Sequence, residues 1–119
     1  MTTNHAKNET TNRSAMDAND LLATLKITKV QRRTSCGGAW VRGQMAGHRF
    51  DALVFPEHAT NAEYELGDSR ISKLWIQRIE DRVTVVNFDR GWDVRPTTTL
   101  AAQIADLLAA GLAEQIFGA

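Results

Sequence analysis

A chain of 119 residues with 43% hydrophobic and 24% charged residues is long enough for one modest core and has the balance of an ordinary globular domain. Lysine plus arginine and aspartate plus glutamate both number 14, so the formal net charge is zero, which excludes coating of nucleic acid or anionic membrane by bulk charge and leaves only local patches. The single cysteine, Cys36, excludes an internal disulfide framework and fits a reducing compartment.

Residues 1–18 are Thr, Asn, Ser and charged side chains with almost nothing apolar. Such a segment cannot bury enough surface to offset its ordering entropy, which predicts a disordered N-terminal tail. It lacks the apolar region of a secretory signal, and no stretch of the chain reaches the ~18 apolar residues of a membrane span. The expected location is the cytoplasm, with no membrane partner. A single domain is expected over residues 19–119, opening with Asn19 and Asp20 as caps of a short turn over residues 21–25.

Residues 26–34, KITKVQRRT, alternate well enough to predict a strand, basic on its outer side. Ser35-Cys36-Gly37-Gly38 is a reversal, since two glycines accept positive φ. The return strand, residues 39–45, places Val41, Gly43 and Met45 on one face and Trp40, Arg42 and Gln44 on the other. After the turn Ala46-Gly47-His48, residues 49–55 form a strand with apolar side chains on both faces near its end, as for an interior strand. Pro56 ends it.

Residues 56–70 are too long for a hairpin connection and carry Glu57, Glu63, Glu65 and Asp68 with His58 and Tyr64 among them, a candidate surface loop with one helical turn over residues 62–66. Residues 71–79 and 83–88 form a central hairpin, Leu74 and Ile76 facing one way and Trp75 the other, with Val83, Val85 and Val86 suited to a sheet interior. Pro96 and the threonines 97–99 mark a helix start. Leu100, Ile104, Leu107, Leu108, Leu112 and Ile116 then follow helical spacing. Gly111, on the apolar edge, costs about 1 kcal/mol against alanine, and close approach to a strand is its expected justification. The fold class is therefore α+β: an antiparallel sheet of about five strands with one long C-terminal helix packed on a face, in a single two-layer domain.

Two constellations point to binding. Asp89, Arg90, Trp92 and Asp93 gather two carboxylates, a guanidinium and an aromatic plane at a strand end, and with Glu63, Tyr64 and Glu65 of the long loop they form a candidate interaction surface. The structural alternative is a corner in which Gly91 turns, Trp92 plugs the core and Arg90 pairs with a carboxylate. Lys29, Arg32, Arg33 and Arg42, with Trp40 among them, form a candidate nucleic-acid surface, because basic charge with an exposed aromatic on a sheet suits single strands. The alternative there is a charged edge that blocks edge-to-edge pairing.

No catalytic residue, cofactor motif or metal set is expected. The three histidines, His5, His48 and His58, show no paired-ligand spacing, Cys36 has no assignable base, and no Walker or GxGxxG spacing occurs. A small enzyme is the third reading, and it requires His48 or His58 to stand beside an acid in a pocket.

The blocks AWVRGQMAGHRFDALVFPEH, DSRISKLWIQR and NFDRGWDV resemble a family of short uncharacterised bacterial proteins associated with plasmids, prophages and integrated elements. The resemblance covers roughly residues 39–117 and brings no catalytic residue with it. It implies a small non-catalytic protein-interaction module, a modulator or inhibitor of a host or defence complex of the anti-CRISPR kind, with a protein partner.

Overall fold

The alternation of apolar and polar residues along the middle of the chain builds one sheet, and the final helical stripe covers it. The computed structural model describes residues 15–118. In chain order they form α1 (Ala18–Ala23), β1 (Lys26–Arg32), β2 (Ala39–Met45), β3 (His48–Val54), a 3-10 turn (Ala62–Tyr64), β4 (Ile71–Arg78), β5 (Thr84–Asp89), β6 (Trp92–Val94) and α2 (Thr99–Phe117). The strands lie in sequence order, each antiparallel to the next. The expected α+β architecture is what forms. Its sixth strand is a three-residue addition that the charged corner folds back to make.

Residues directly opposite one another on paired strands share a face. One such row runs Gly43, Phe50, Ile76, Val86, and the next runs Val41, Ala52, Leu74, Phe88, Trp92. These rows meet Leu100, Ile104, Leu108 and Leu112 of α2 in a single core. Each such side chain contributes about 1.5–3 kcal/mol when fully buried. Gly43 is required in this core: a Cβ there would lie 2.6 Å from Phe50 Cζ and 2.7 Å from the Lys26 carbonyl oxygen. Gly111 is not. A Cβ there meets nothing within 4 Å, so the expected close approach to a strand is absent.

Thr98 is the threonine that caps α2, its Oγ1 accepting from the Ala101 N–H at 3.0 Å. At 19 residues and a mean hydropathy of 1.3, α2 is long and apolar enough to span a membrane by length and composition, contrary to the reading from sequence. It is amphipathic, with Leu100, Ile104, Leu108 and Leu112 buried in the core and Asp106 and Glu114 exposed.

The cap of α1 is Asp17, whose side chain accepts from the Asn19 N–H, two residues before the expected start. The tail expected over residues 1–18 lies outside the described residues as far as residue 14. Beyond that the chain is tied down: Met16 donates its N–H to Gln103 Oε1 at 2.8 Å and accepts from Gln103 Nε2 at 2.7 Å. At the β4–β5 turn, Arg78 makes a two-pronged pair with Asp81 at 3.0 and 2.8 Å.

Candidate functional site

Two features of the sheet are open to a ligand: the face away from α2, and the end where the β1–β2, β3–β4 and β5–β6 connections meet. On the face, register aligns Gln31, Trp40, Leu53, Lys73 and Asp89 in one row. The adjacent row is Lys29, Arg42, Asp51, Trp75 and Asn87, and the third is Lys26, Gln44, Arg49, Gln77 and Thr84. No helix among the described residues lies on this face. Trp40 is 37% exposed. Together with Trp75 it borders a hollow of about 300 Å³ over Asp51. The Trp75 ring is fixed by its Nε1–H, which donates to Thr84 Oγ1 at 3.1 Å.

Charge on this face is lopsided. Lys26, Lys29, Arg42, Arg49 and Lys73 stand against Asp51 and Asp89. Arg42 donates to Asp51 at 2.9 Å, and that bond strengthens the hold of the guanidinium on its proton. The helical layer is the reverse: α1 with its cap and α2 carry Asp17, Asp20, Asp106 and Glu114 and no lysine or arginine. The zero net charge thus hides a separation across the two layers.

The end of the sheet holds a cleft of about 550 Å³. Its cations are Arg33, Arg70, Lys73 and Arg90, its acids Glu57 and Glu65, and its apolar walls Leu53, Phe55, Pro56 and Tyr64. Leu53 points to the open face yet is 3% exposed, and it lines the cleft together with residues of the 56–65 loop. Both glycines of the β1–β2 reversal take positive φ, and a side chain on Gly38 would strike the Phe55 ring. Arg33 donates to Gly37 O at 2.7 Å and lies over the Phe55 ring at 5.6 Å.

His58 and Glu65 form the best-defined polar pair of the cleft. Glu65 is 7% exposed. It accepts from His58 Nδ1–H at 2.8 Å and from the Ala59 N–H at 2.7 Å. Burial pushes the Glu65 carboxyl up, but these hydrogen bonds outweigh burial and hold it below the usual carboxylate range. The same hydrogen bond raises His58 above the ordinary histidine value, against burial.

Asp68 Oδ1 approaches His58 at 3.4 Å, so these three residues are the ones placed to converge on a cation. Ligands around a tetrahedral ion at ~2.1 Å stand roughly 3.4 Å apart. The 2.8 Å His58–Glu65 separation is instead that of a shared proton. The pair resembles an oriented base, but no hydroxyl or thiol among the described residues hydrogen-bonds to His58. Cys36 lies elsewhere, exposed, its Sγ 3.7 Å from Ser35 Oγ. His48 is buried, with Nδ1 2.8 Å from Ala46 O, and serves the β2–β3 turn.

The interaction residues expected from sequence are partly brought together. Arg90 lies 5.9 Å above the Tyr64 ring, joining the corner to the long loop. Asp89 reaches Lys73 at 3.7 Å and Arg90 at 4.0 Å. Glu63 is exposed and stands second in the 3-10 turn, its N–H donating to Oδ1 of the cap residue Asn61. Glu65 faces inward to His58. Trp92 behaves as the structural corner: it packs edge-on against Phe88 at 5.2 Å and carries Arg95 over its other side. Asp93 is exposed.

Of the nucleic-acid set, Lys29, Trp40 and Arg42 share the open face. Arg32 is on the opposite side, donating to Ile116 O at 3.3 Å and stacking on Phe117 at 5.0 Å, and Arg33 is at the cleft. Arg49, Lys73 and Trp75 complete the open face and were missed as site residues, although the strand alternation alone puts them opposite the core.

No curated protein and no solved structure matches this sequence. A family model described as a domain of unknown function, DUF7678, matches residues 39–113, from the start of β2 into the last turns of α2. It spans both tryptophans of the open face and the larger part of the cleft, and the chain belongs to that family.

Proposed function

We propose that this protein is a non-catalytic binding module that lays a single-stranded nucleic acid across the open face of its sheet. The observation that carries the reading is the pairing of Trp40 and Trp75 on one uncovered face among Lys26, Lys29, Arg42, Arg49 and Lys73. Aromatic planes stack on bases of any sequence at about 1–3 kcal/mol per base, while lysines and arginines meet the phosphates. The acidic helical layer would turn away from such a ligand.

The test is fluorescence anisotropy of labelled oligothymidylate and oligouridylate at rising salt. Affinity is expected to fall with salt at a slope of about −0.7 per phosphate neutralised. Neither Lys29 nor Arg49 makes an ion pair among the described residues, so Lys29→Glu with Arg49→Glu should weaken binding by about tenfold or more and leave the melting temperature unchanged. Absence of salt-dependent binding sinks the reading.

A second reading is favoured by the Arg90–Tyr64 contact, which makes the corner and the long loop one surface. On it the protein is a cytoplasmic interaction module, encoded by a bacterial mobile element, that modulates a host or defence complex through that surface. One specific protein retained from a bacterial lysate and lost with Tyr64→Ala would support it.

A further inference from the structure

We propose that the cleft at the end of the sheet binds a nucleoside monophosphate, taken free or as the phosphorylated end of a single strand. The strand-end form rests on the open-face reading, since Lys73 borders both the cleft and the hollow between the tryptophans; the free-nucleotide form does not.

Size and walls come first. About 550 Å³ is within the range of small-molecule sites and more than a phosphate alone would fill. Leu53, Phe55 and Tyr64 give apolar and aromatic surface for a base. Both aromatic rings already lie beneath guanidinium groups, Phe55 under Arg33 and Tyr64 under Arg90, an arrangement into which another flat ring can stack.

Charge comes second. Four cations line the cleft against two acids, and one of those acids, Glu65, is taken up by His58. Among the described residues, Arg33 and Arg70 hydrogen-bond only to main-chain carbonyls, those of Gly37, Pro56 and Gly118. These bonds orient the guanidinium groups, and among the described residues neither makes an ion pair. Lys73 and Arg90 share one carboxylate, Asp89, at 3.7 and 4.0 Å, which is longer than a charge-assisted bond. A phosphate dianion is the group that such an array lacks.

The backbone is the third observation. Arg70 has φ 66° and Arg90 φ 55°, a region that costs an L-residue about 1–2 kcal/mol and glycine nothing. Main-chain bonds hold both in place: Phe55 N–H donates to Arg70 O, and Arg90 N–H donates to Ser72 O, each at 2.9 Å. Ala46 and Arg82 take positive φ at the β2–β3 and β4–β5 turns, whereas Arg70 and Arg90 do so lining one cleft, at positions that glycine would occupy without cost. Strain of this kind is retained where a side chain is needed.

The test is calorimetric titration of the full chain with AMP, with adenosine and inorganic phosphate as the separate halves. It is run beside anisotropy with oligonucleotides carrying a phosphate or a hydroxyl at the 5′ end. AMP is expected to bind with Kd below about 1 mM, and each half about tenfold or more weaker. Arg90→Gly removes the strained position, so the variant should melt no lower than the parent while losing about tenfold or more in AMP affinity; Lys73→Ala should lose affinity as well. Tighter binding of the phosphorylated oligonucleotide assigns the cleft to strand ends. AMP binding without oligonucleotide binding keeps the cleft and removes the open-face reading. AMP binding no tighter than inorganic phosphate, or unchanged in both variants, overturns the proposal, even where oligonucleotides still bind the open face without regard to their ends.

Discussion

On the side of the sheet under α2, Phe50, Leu74, Ile76 and Phe88 stand in neighbouring rows and are at most 4% exposed. One residue along, the same strands turn Asp51, Lys73, Trp75 and Asn87 to the other side. Period-two alternation thus gives a single sheet one surface whose chemistry is satisfied by the fold and one whose chemistry is left over. The covered face needs close fit, as Gly43 against Phe50 shows. The open face has paired only some of its charges, through Arg42–Asp51 and Lys73–Asp89, at exposed positions where solvent and salt screen such pairs.

The most direct way to break the comparison is a matched pair of truncations. Phe50→Ala empties the space that Gly43 leaves for its ring and should cost about 3–5 kcal/mol in denaturant unfolding. Trp40→Ala removes a still larger side chain from the open face and should cost less than about 1 kcal/mol. Equal losses would show that the open face is a second core.

A smaller effect concerns the His58–Glu65 pair at the border of that face. His58 is raised in the folded state, so its contribution is fully present below the ordinary histidine pKa and is lost as pH rises through the raised value. Glu65 is lowered, so its contribution is present above the ordinary carboxylate pKa and is lost as pH falls through the lowered value. Urea midpoints should therefore decline slightly on the alkaline side of the ordinary histidine pKa, and His58→Gln should abolish that decline. An unchanged decline in the variant assigns it to another group.

The smallest effect has the opposite sign. Gly111 sits in the interior of α2 with room for a methyl group, so Gly111→Ala should raise stability by about 0.5–1 kcal/mol. A loss there would mean that the covered face presses closer on α2 than its spacing indicates.

Much of this was legible beforehand. The limits of β2 and the faces of β3 and β4 follow from alternation, and α2 follows from its spacing and its threonine cap. The features that escaped depend on contacts without a period. β6 is only three residues long and exists because the corner at Gly91 folds back on β5. The His58–Glu65 bond spans seven residues of irregular loop. Gly43, which the sequence only placed on a face, fits under a ring from the next strand, whereas Gly111, expected to approach a strand, faces open space. Trp40 and Trp75 could be assigned to the far side of the sheet from sequence. The two-layer expectation left this side open, and among the described residues no second layer covers it, although Leu53 and Phe55 imitate a strand buried on both faces.

The strand order has one more consequence, for the chain as it is being made. Every strand pairs with its neighbour in sequence, so the sheet can zip strand by strand through local closures, the 55–70 connection between β3 and β4 being the longest. Its apolar surface, however, waits for a cover encoded at residues 99–117, downstream of every strand. Until α2 arrives, a nearly complete sheet displays Phe50, Ile76 and Phe88 to its surroundings. The vulnerable species for this molecule is therefore a late one, well paired and uncapped, and the Met16–Gln103 clasp that joins the two ends of the described chain closes only after that interval has passed.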